Sequence, residues 1–172
     1  VMEIENGIEF TILEGDTLNI RGNPAYDFGV KVAGNMNNHG QLNIESETQN
    51  AIDACIYLTS NATPIFVNSG EININSTDMG IGVGAAVLAT FNNLSSGRIN
   101  ILGGKGVELK LETDFLQFTN SGTFNYLGTD EVFDPTGFAS IFNDGLIEVK
   151  SGLGINLGTE HSLINGACGK II

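Results

Sequence analysis

Three acidic side chains, Asp130, Glu131 and Asp134, crowd one short segment, and oxygen-rich loops of this kind suit Ca²⁺. They are the candidate metal site, although the segment lacks the ligand spacing of a helix-flanked calcium loop and Pro135 marks a plain turn equally well. Asp27 and Asp53 lie 26 residues apart. Hydrolysis of a glycan needs two opposed carboxylates, and this pair is set against the simpler reading of solvated loop ends. A polysaccharide lyase needs clustered cations and a strong base. Here Arg21, Lys31, Arg98, Lys105, Lys110, Lys150 and Lys170 are scattered. His39 and His161 are too isolated for metal ligation or for a nucleophilic triad. The glycines at 80, 82 and 84 precede a strand-like run and not a helix, so they form no phosphate loop. No catalytic residue is assigned, and no cofactor is expected other than Ca²⁺.

The residues that recur are amides. After a glycine, the word G-x-h-[N/E]-h appears at Gly40–Ile44, Gly70–Ile74, Gly97–Ile101, Gly122–Tyr126 and Gly145–Val149, with weaker copies at Gly15–Ile20 and Gly169–Ile172. Its fourth residue is Asn43, Asn73, Asn100, Asn125 and then Glu148. Period-2 alternation turns that residue outward and its two neighbours inward. The outward residues then form one file, with Glu71 and Arg98 beside it on adjacent repeats. Two uses are open. Stacked amides bond to one another and stiffen the structure, or they offer a flat polar strip to a glycan chain.

These residues need elements to position them. The word glycines are spaced 25, 30, 27, 25, 23 and 24 residues apart, and an Asn stands two residues ahead of most of them: Asn38, Asn68, Asn120 and Asn143, with Asn93 displaced to four. Both residue types tolerate left-handed backbone cheaply, so a tight corner is expected once per repeat. Further β-like runs lie upstream, as in Gly29–Val32, Cys55–Leu58, Gly106–Leu109 and Gly137–Ile141, and Gly and Asn disfavour helix. In an antiparallel sandwich successive hairpins have no reason to repeat one word. In a solenoid, equivalent residues stack coil on coil. The fold class expected is all-β, a right-handed parallel β-helix of about seven turns of roughly 23–30 residues, one domain over 1–172.

The same words and composition resemble the right-handed parallel β-helix repeats of secreted and surface-attached bacterial proteins, including adhesins and pectin-lyase-like proteins. The resemblance covers roughly Leu13 to Ile172. It implies an exported bacterial protein, extracellular or at the cell surface, with a polysaccharide or a cell-surface protein as partner. The function expected is a structural or adhesive module with no chemistry of its own, with a polysaccharide-binding or polysaccharide-cleaving module as the alternative.

Composition narrows the field further. A net charge of -13 argues against nucleic acid, because phosphate neutralisation needs clustered Lys and Arg. No apolar run reaches the roughly 20 residues of a membrane span, so membrane insertion is not expected. Ice binding would ask for regular Thr rows, which are absent. Asn61, Asn75 and Asn93 match glycosylation acceptors, an expected coincidence in a chain with 20 Asn. Cys55 and Cys168 belong to turns four or five apart, roughly 20 Å at about 4.8 Å per turn and beyond bridging distance. Both are expected unpaired, Cys55 as a small core residue. The strand-like end Lys170–Ile172 leads us to expect a longer native chain or an end-to-end contact at the open solenoid edge.

Overall fold

The structure is a computed structural model that describes residues 2–21, 28–46, 54–60, 63–76, 79–86, 88–109, 115–135, 138–157 and 161–172. Described residues contain no helix. The chain winds through three strands per coil. The first coil comprises β1 (Met2–Ile4), β2 (Glu9–Ile12) and β3 (Thr17–Arg21), the second β4 (Phe28–Val32), β5 (Asn35–Asn38) and β6 (Gln41–Ser46). The third has β7 (Ala54–Ser60), β8 (Ile65–Asn68) and β9 (Glu71–Ser76), the fourth β10 (Met79–Ala86), β11 (Ala89–Asn93) and β12 (Arg98–Ile101). Next come β13 (Lys105–Leu109), β14 (Phe115–Asn120) and β15 (Thr123–Tyr126), then β16 (Phe133–Pro135), β17 (Phe138–Asn143) and β18 (Leu146–Val149). β19 (Ser162–Asn165) and β20 (Lys170–Ile171) begin a further coil.

Every strand pairs in parallel with its equivalent in the next coil, which builds three sheets. Sheet A has six strands, β1 to β16, while sheet B (β2 to β19) and sheet C (β3 to β20) have seven each. The fold is therefore the expected parallel β-solenoid, with six complete coils and a partial seventh in place of about seven full turns. Coil length varies mainly in the connections from sheet C to sheet A, which run from two residues after β9 to seven after β6.

Alternation fills the inside. Leu42, Ile72, Ile99, Phe124 and Ile147 form one buried row of sheet C, and Ile44, Ile74, Ile101 and Tyr126 form a second. Val149, expected to close that second row, is only partly buried against the core. Sheet B adds a column of rings, with Phe66 and Phe91 stacked at 4.7 Å and Phe91 and Phe118 at 5.5 Å. Phe118 then meets Phe124 and Phe133 edge-on. Like residues stack because each parallel register step superposes equivalent positions about 4.8 Å apart.

The corner glycines serve a different purpose from the one the sequence suggests. Gly15 is left-handed, with φ +87°, but the glycines of the N-x-G corners at 40, 70, 122 and 145 are not. Their requirement is close approach. A Cβ on Gly70, Gly122 or Gly145 would collide with the carbonyl oxygen of the word glycine one coil earlier, so glycine stacks on glycine and lets adjacent corners nest.

Candidate functional site

The outward file exists and its amides are bonded to one another. Asn43 Nδ2 donates to Asn19 Oδ1 (2.7 Å), Asn73 to Asn43 (2.9 Å), Asn100 to Asn73 (2.7 Å) and Asn125 to Asn100 (2.8 Å). The register places Asn19, Asn43, Asn73, Asn100, Asn125 and Glu148 opposite one another along sheet C. Every donor in this ladder points towards the N-terminal coil. Asn100 Nδ2 also reaches Glu71 Oε1 at 3.1 Å, which fixes its amide orientation. Glu71 and Arg98 are register partners, as expected.

The ladder ends at a mismatch. Asn125 Oδ1 is buried without a hydrogen-bond partner, and the residue opposite it is Glu148, an acceptor when ionised. Glu148 turns instead to Lys150, at 3.1 Å.

A second ladder runs inside sheet B. Asn38 Nδ2 donates to Asn68 Oδ1 (2.8 Å), Asn68 to Asn93 (2.8 Å), Asn93 to Asn120 (2.7 Å), Asn120 to Asn143 (2.7 Å) and Asn143 to Asn165 (2.7 Å). Here the donors point towards the C-terminal coil, opposite to the outer ladder. Five of these residues are essentially inaccessible to solvent. Each also holds at least one backbone carbonyl near the corner: Asn93 Nδ2 lies 3.3 Å from Gly97 O and 3.2 Å from Thr123 O, and Asn120 Nδ2 3.0 Å from Leu146 O. The N-terminal end has its own unpartnered acceptor, Asn38 Oδ1, which faces Ile12 in register.

Sequence reasoning treats these asparagines as corner residues and misses their inward orientation. The signal was present as an apolar residue, a spacer and Asn: Met36-x-Asn38, Phe66-x-Asn68, Phe91-x-Asn93, Phe118-x-Asn120, Ile141-x-Asn143 and Leu163-x-Asn165. Period 2 carries the Asn to the same inner face as the apolar residue before it. Asn93, displaced relative to its glycine, is in register because the corner after it is two residues longer and closes with its own turn, Gly97 N to Leu94 O at 2.8 Å.

The acidic segment is organised by Tyr126. This buried ring carries its hydroxyl to the carbonyl oxygens of Gly104 and Asp130, the latter at 2.9 Å, and accepts from Asp130 N–H at 3.1 Å. Burial pushes the phenol pKa above its ordinary value, the hydrogen bond to Asp130 backbone opposes this, and the nearby acids add to the rise. Asp130 Oδ1 accepts from Glu131 N–H at 3.0 Å. Asp134 lies in β16 opposite Glu108, with its side chain outside the described residues. Among the described residues no three His, Cys, Asp or Glu side chains are grouped to hold a metal ion.

Of the other sequence candidates, Asp27, Asp53 and Asn61 lie outside the described residues, as does the Cys55 side chain. Cys168 is an exposed free thiol. His39 Nδ1 contacts Ser69 Oγ at 2.6 Å in the next coil, and His161 Nδ1 accepts from Ala139 N–H at 3.1 Å. Among the described residues no helix is long and apolar enough to cross a membrane.

Sequence inspection also passes over a set of exposed rings. Phe115 and Phe138 stack at 5.9 Å on the outside of sheet B, and Phe142 is exposed on the same face. The chain matches no protein-family model, no curated protein and no solved structure.

Proposed function

We propose that this chain is a structural or adhesive module of an extracellular or cell-surface bacterial protein, supplying a stiff surface and no chemistry of its own. The observation that carries this reading is the outer amide file. A side chain that recognises a ligand keeps donors and acceptors free for it, whereas Asn43, Asn73 and Asn100 both donate to one coil and accept from the other. Amides bonded in series along the axis resist shear between coils and specify register, which is what a load-bearing or display rod requires. Net charge of -13 keeps such a rod soluble and repels other acidic surfaces.

The test is the double variant Asn73→Lys, Asn100→Lys. Each Lys can donate but not accept, so both interrupt the file. The structural reading expects lower thermal stability, by about 1 kcal/mol per lost hydrogen bond, with adhesion of beads carrying the chain to cells unchanged when measured well below the melting temperature. Loss of adhesion or of glycan binding at unchanged stability would move the function to the file and support the polysaccharide-binding alternative.

A further inference from the structure

In an acidic protein, one face is almost bare of charge. Sheet C carries Arg21, Glu45, Glu71, Arg98, Glu148 and Lys150 on its outside, and sheet A carries the Lys31–Glu3 pair. On sheet B, every described outward strand position from Asn35 to Ile164 is uncharged. Only Glu9, on β2, is acidic, and it accepts from Asn37 Nδ2 at 2.6 Å. The same face holds the exposed rings: Phe115 and Phe138 are each 40% exposed and Phe142 41%, with Ile164 at 54% on the next coil.

The arrangement has the form of a trough. Along β17 the outward residues are Phe138, Ser140 and Phe142, so a small hydroxyl side chain lies between two rings about 13 Å apart along the strand. Phe115 stacks on Phe138 and extends that wall by one coil. Ile164 faces Phe142 in register and extends the other. The floor is a row of hydrogen-bonding groups, Gln117, Ser140 and Ser162, with the two serine hydroxyls 3.4 Å apart. It runs parallel to the solenoid axis and repeats about every 4.8 Å.

We infer that this trough binds a neutral, unbranched polysaccharide lying along the solenoid axis. The inference rests on the adhesive half of the reading above and gives that adhesion a partner class. Apolar walls match the C–H edges of sugar rings, the hydroxyl and amide floor matches sugar hydroxyls, and the rung repeat offers one hydrogen-bonding floor residue per coil to a polymer lying along it. The ligand is neutral because a protein of charge -13 repels an acidic polymer and the described outward strand positions of the face hold no cation to recognise one. A second copy of the chain fits less well. The uncharged strip from β5 to β19 measures roughly 29 Å by 17 Å, about 490 Å², against the roughly 800 Å² per partner that a stable protein interface buries.

The experiment is native affinity electrophoresis of the chain through gels containing a mixed-linkage glucan, a linear glucomannan, a pullulan or, as the acidic control, polygalacturonate. Retardation by at least one neutral polymer and none by polygalacturonate is the expected result. Phe138→Ala with Phe142→Ala should weaken it at least ten-fold, and Ser140→Glu, which leaves both rings in place, should do the same. Retardation that survives Ser140→Glu, that is lost instead in Asn73→Lys, Asn100→Lys, or that no neutral polymer produces, would overturn the assignment. The bead assay keeps the two readings apart: beads that still adhere to cells with both ring variants leave the adhesive module standing and remove the trough, whereas wild-type beads that do not adhere remove adhesion itself.

Discussion

The two asparagine ladders use the same side chain at the same spacing for different physical purposes. On sheet C the amides of Asn43, Asn73 and Asn100 are only partly buried, and an interrupted bond there can be replaced by water. On sheet B the amides are sealed beneath the corners, where Asn68, Asn93 and Asn143 each hold the next amide and two backbone carbonyls within 3.4 Å, and Asn120 holds the next amide and one carbonyl. A buried polar group left unpaired costs far more than an exposed one. The inner ladder is therefore the element that commits the chain to this register. The outer ladder adds stiffness at little risk. Their donors also point in opposite directions along the axis, so the dipoles of the two rows oppose each other.

The same substitution placed in both ladders gives the largest predicted contrast. Asn93→Asp puts an ionised acceptor against Asn120 Oδ1 and the carbonyls of Gly97 and Thr123, and should destabilise by about 3–5 kcal/mol, the range for an uncompensated buried charge. Asn73→Asp, at its partly buried counterpart, should cost only about 1 kcal/mol. Urea denaturation of the two variants at neutral pH decides it, and equal midpoints would remove the distinction between the ladders.

Tyr126→Phe sharpens the comparison with a buried polar group that belongs to neither ladder. Loss of the hydroxyl leaves Asp130 N–H and the carbonyls of Gly104 and Asp130 without it, at an expected cost of about 1–3 kcal/mol. The pH dependence follows from the raised phenol pKa. The folded state keeps its proton above pH 10.0, where the unfolded phenol begins to lose its own, so the folded state holds more protons there. This part of the stability is complete below that pH and is lost as pH rises towards the folded value. Thermal melts of wild type should decline through that range more steeply than those of Tyr126→Phe.

The smallest effect is a gain. Glu148→Asn places a donor opposite the unpartnered Asn125 Oδ1 and extends the outer ladder by one coil. It gives up an ion pair to Lys150 whose side chains are 27% and 52% exposed, a kind of pair worth little. A rise of about 1 kcal/mol in stability is expected, and a melting temperature at or below that of wild type would show that the ladder end carries no strain.

The two ladders also show how far residue patterns reach. The word G-x-h-N-h placed the outer file correctly because its asparagines sit between two apolar residues, and strict alternation leaves one possible orientation. Asn38, Asn68, Asn120 and Asn143 were harder to orient, since an asparagine two residues before a glycine looks like a turn. Only the coil stacked above supplies the amide that makes burial favourable. The exposed rings illustrate the same difficulty from the other side. Phe115, Phe138 and Phe142 look like core in an apolar-rich stretch, and it takes the neighbouring inward residues Leu116, Ala139 and Ile141 to turn them out.

Local physics, readable along the chain, determined the all-β class, the stacked coils, the inward rows Leu42 to Ile147 and Ile44 to Tyr126, and the acidic balance of the chain. Period-2 alternation and a repeated word act between near neighbours and need no partner to be interpreted. The tertiary structure alone decided what depends on residues 22 to 30 positions apart: the sealed amide ladder, the opposed directions of the two ladders, the nesting of glycine on glycine, and the trough on the uncharged face. Each of these is a contact between coils, and its free energy exists only once the next coil is in place.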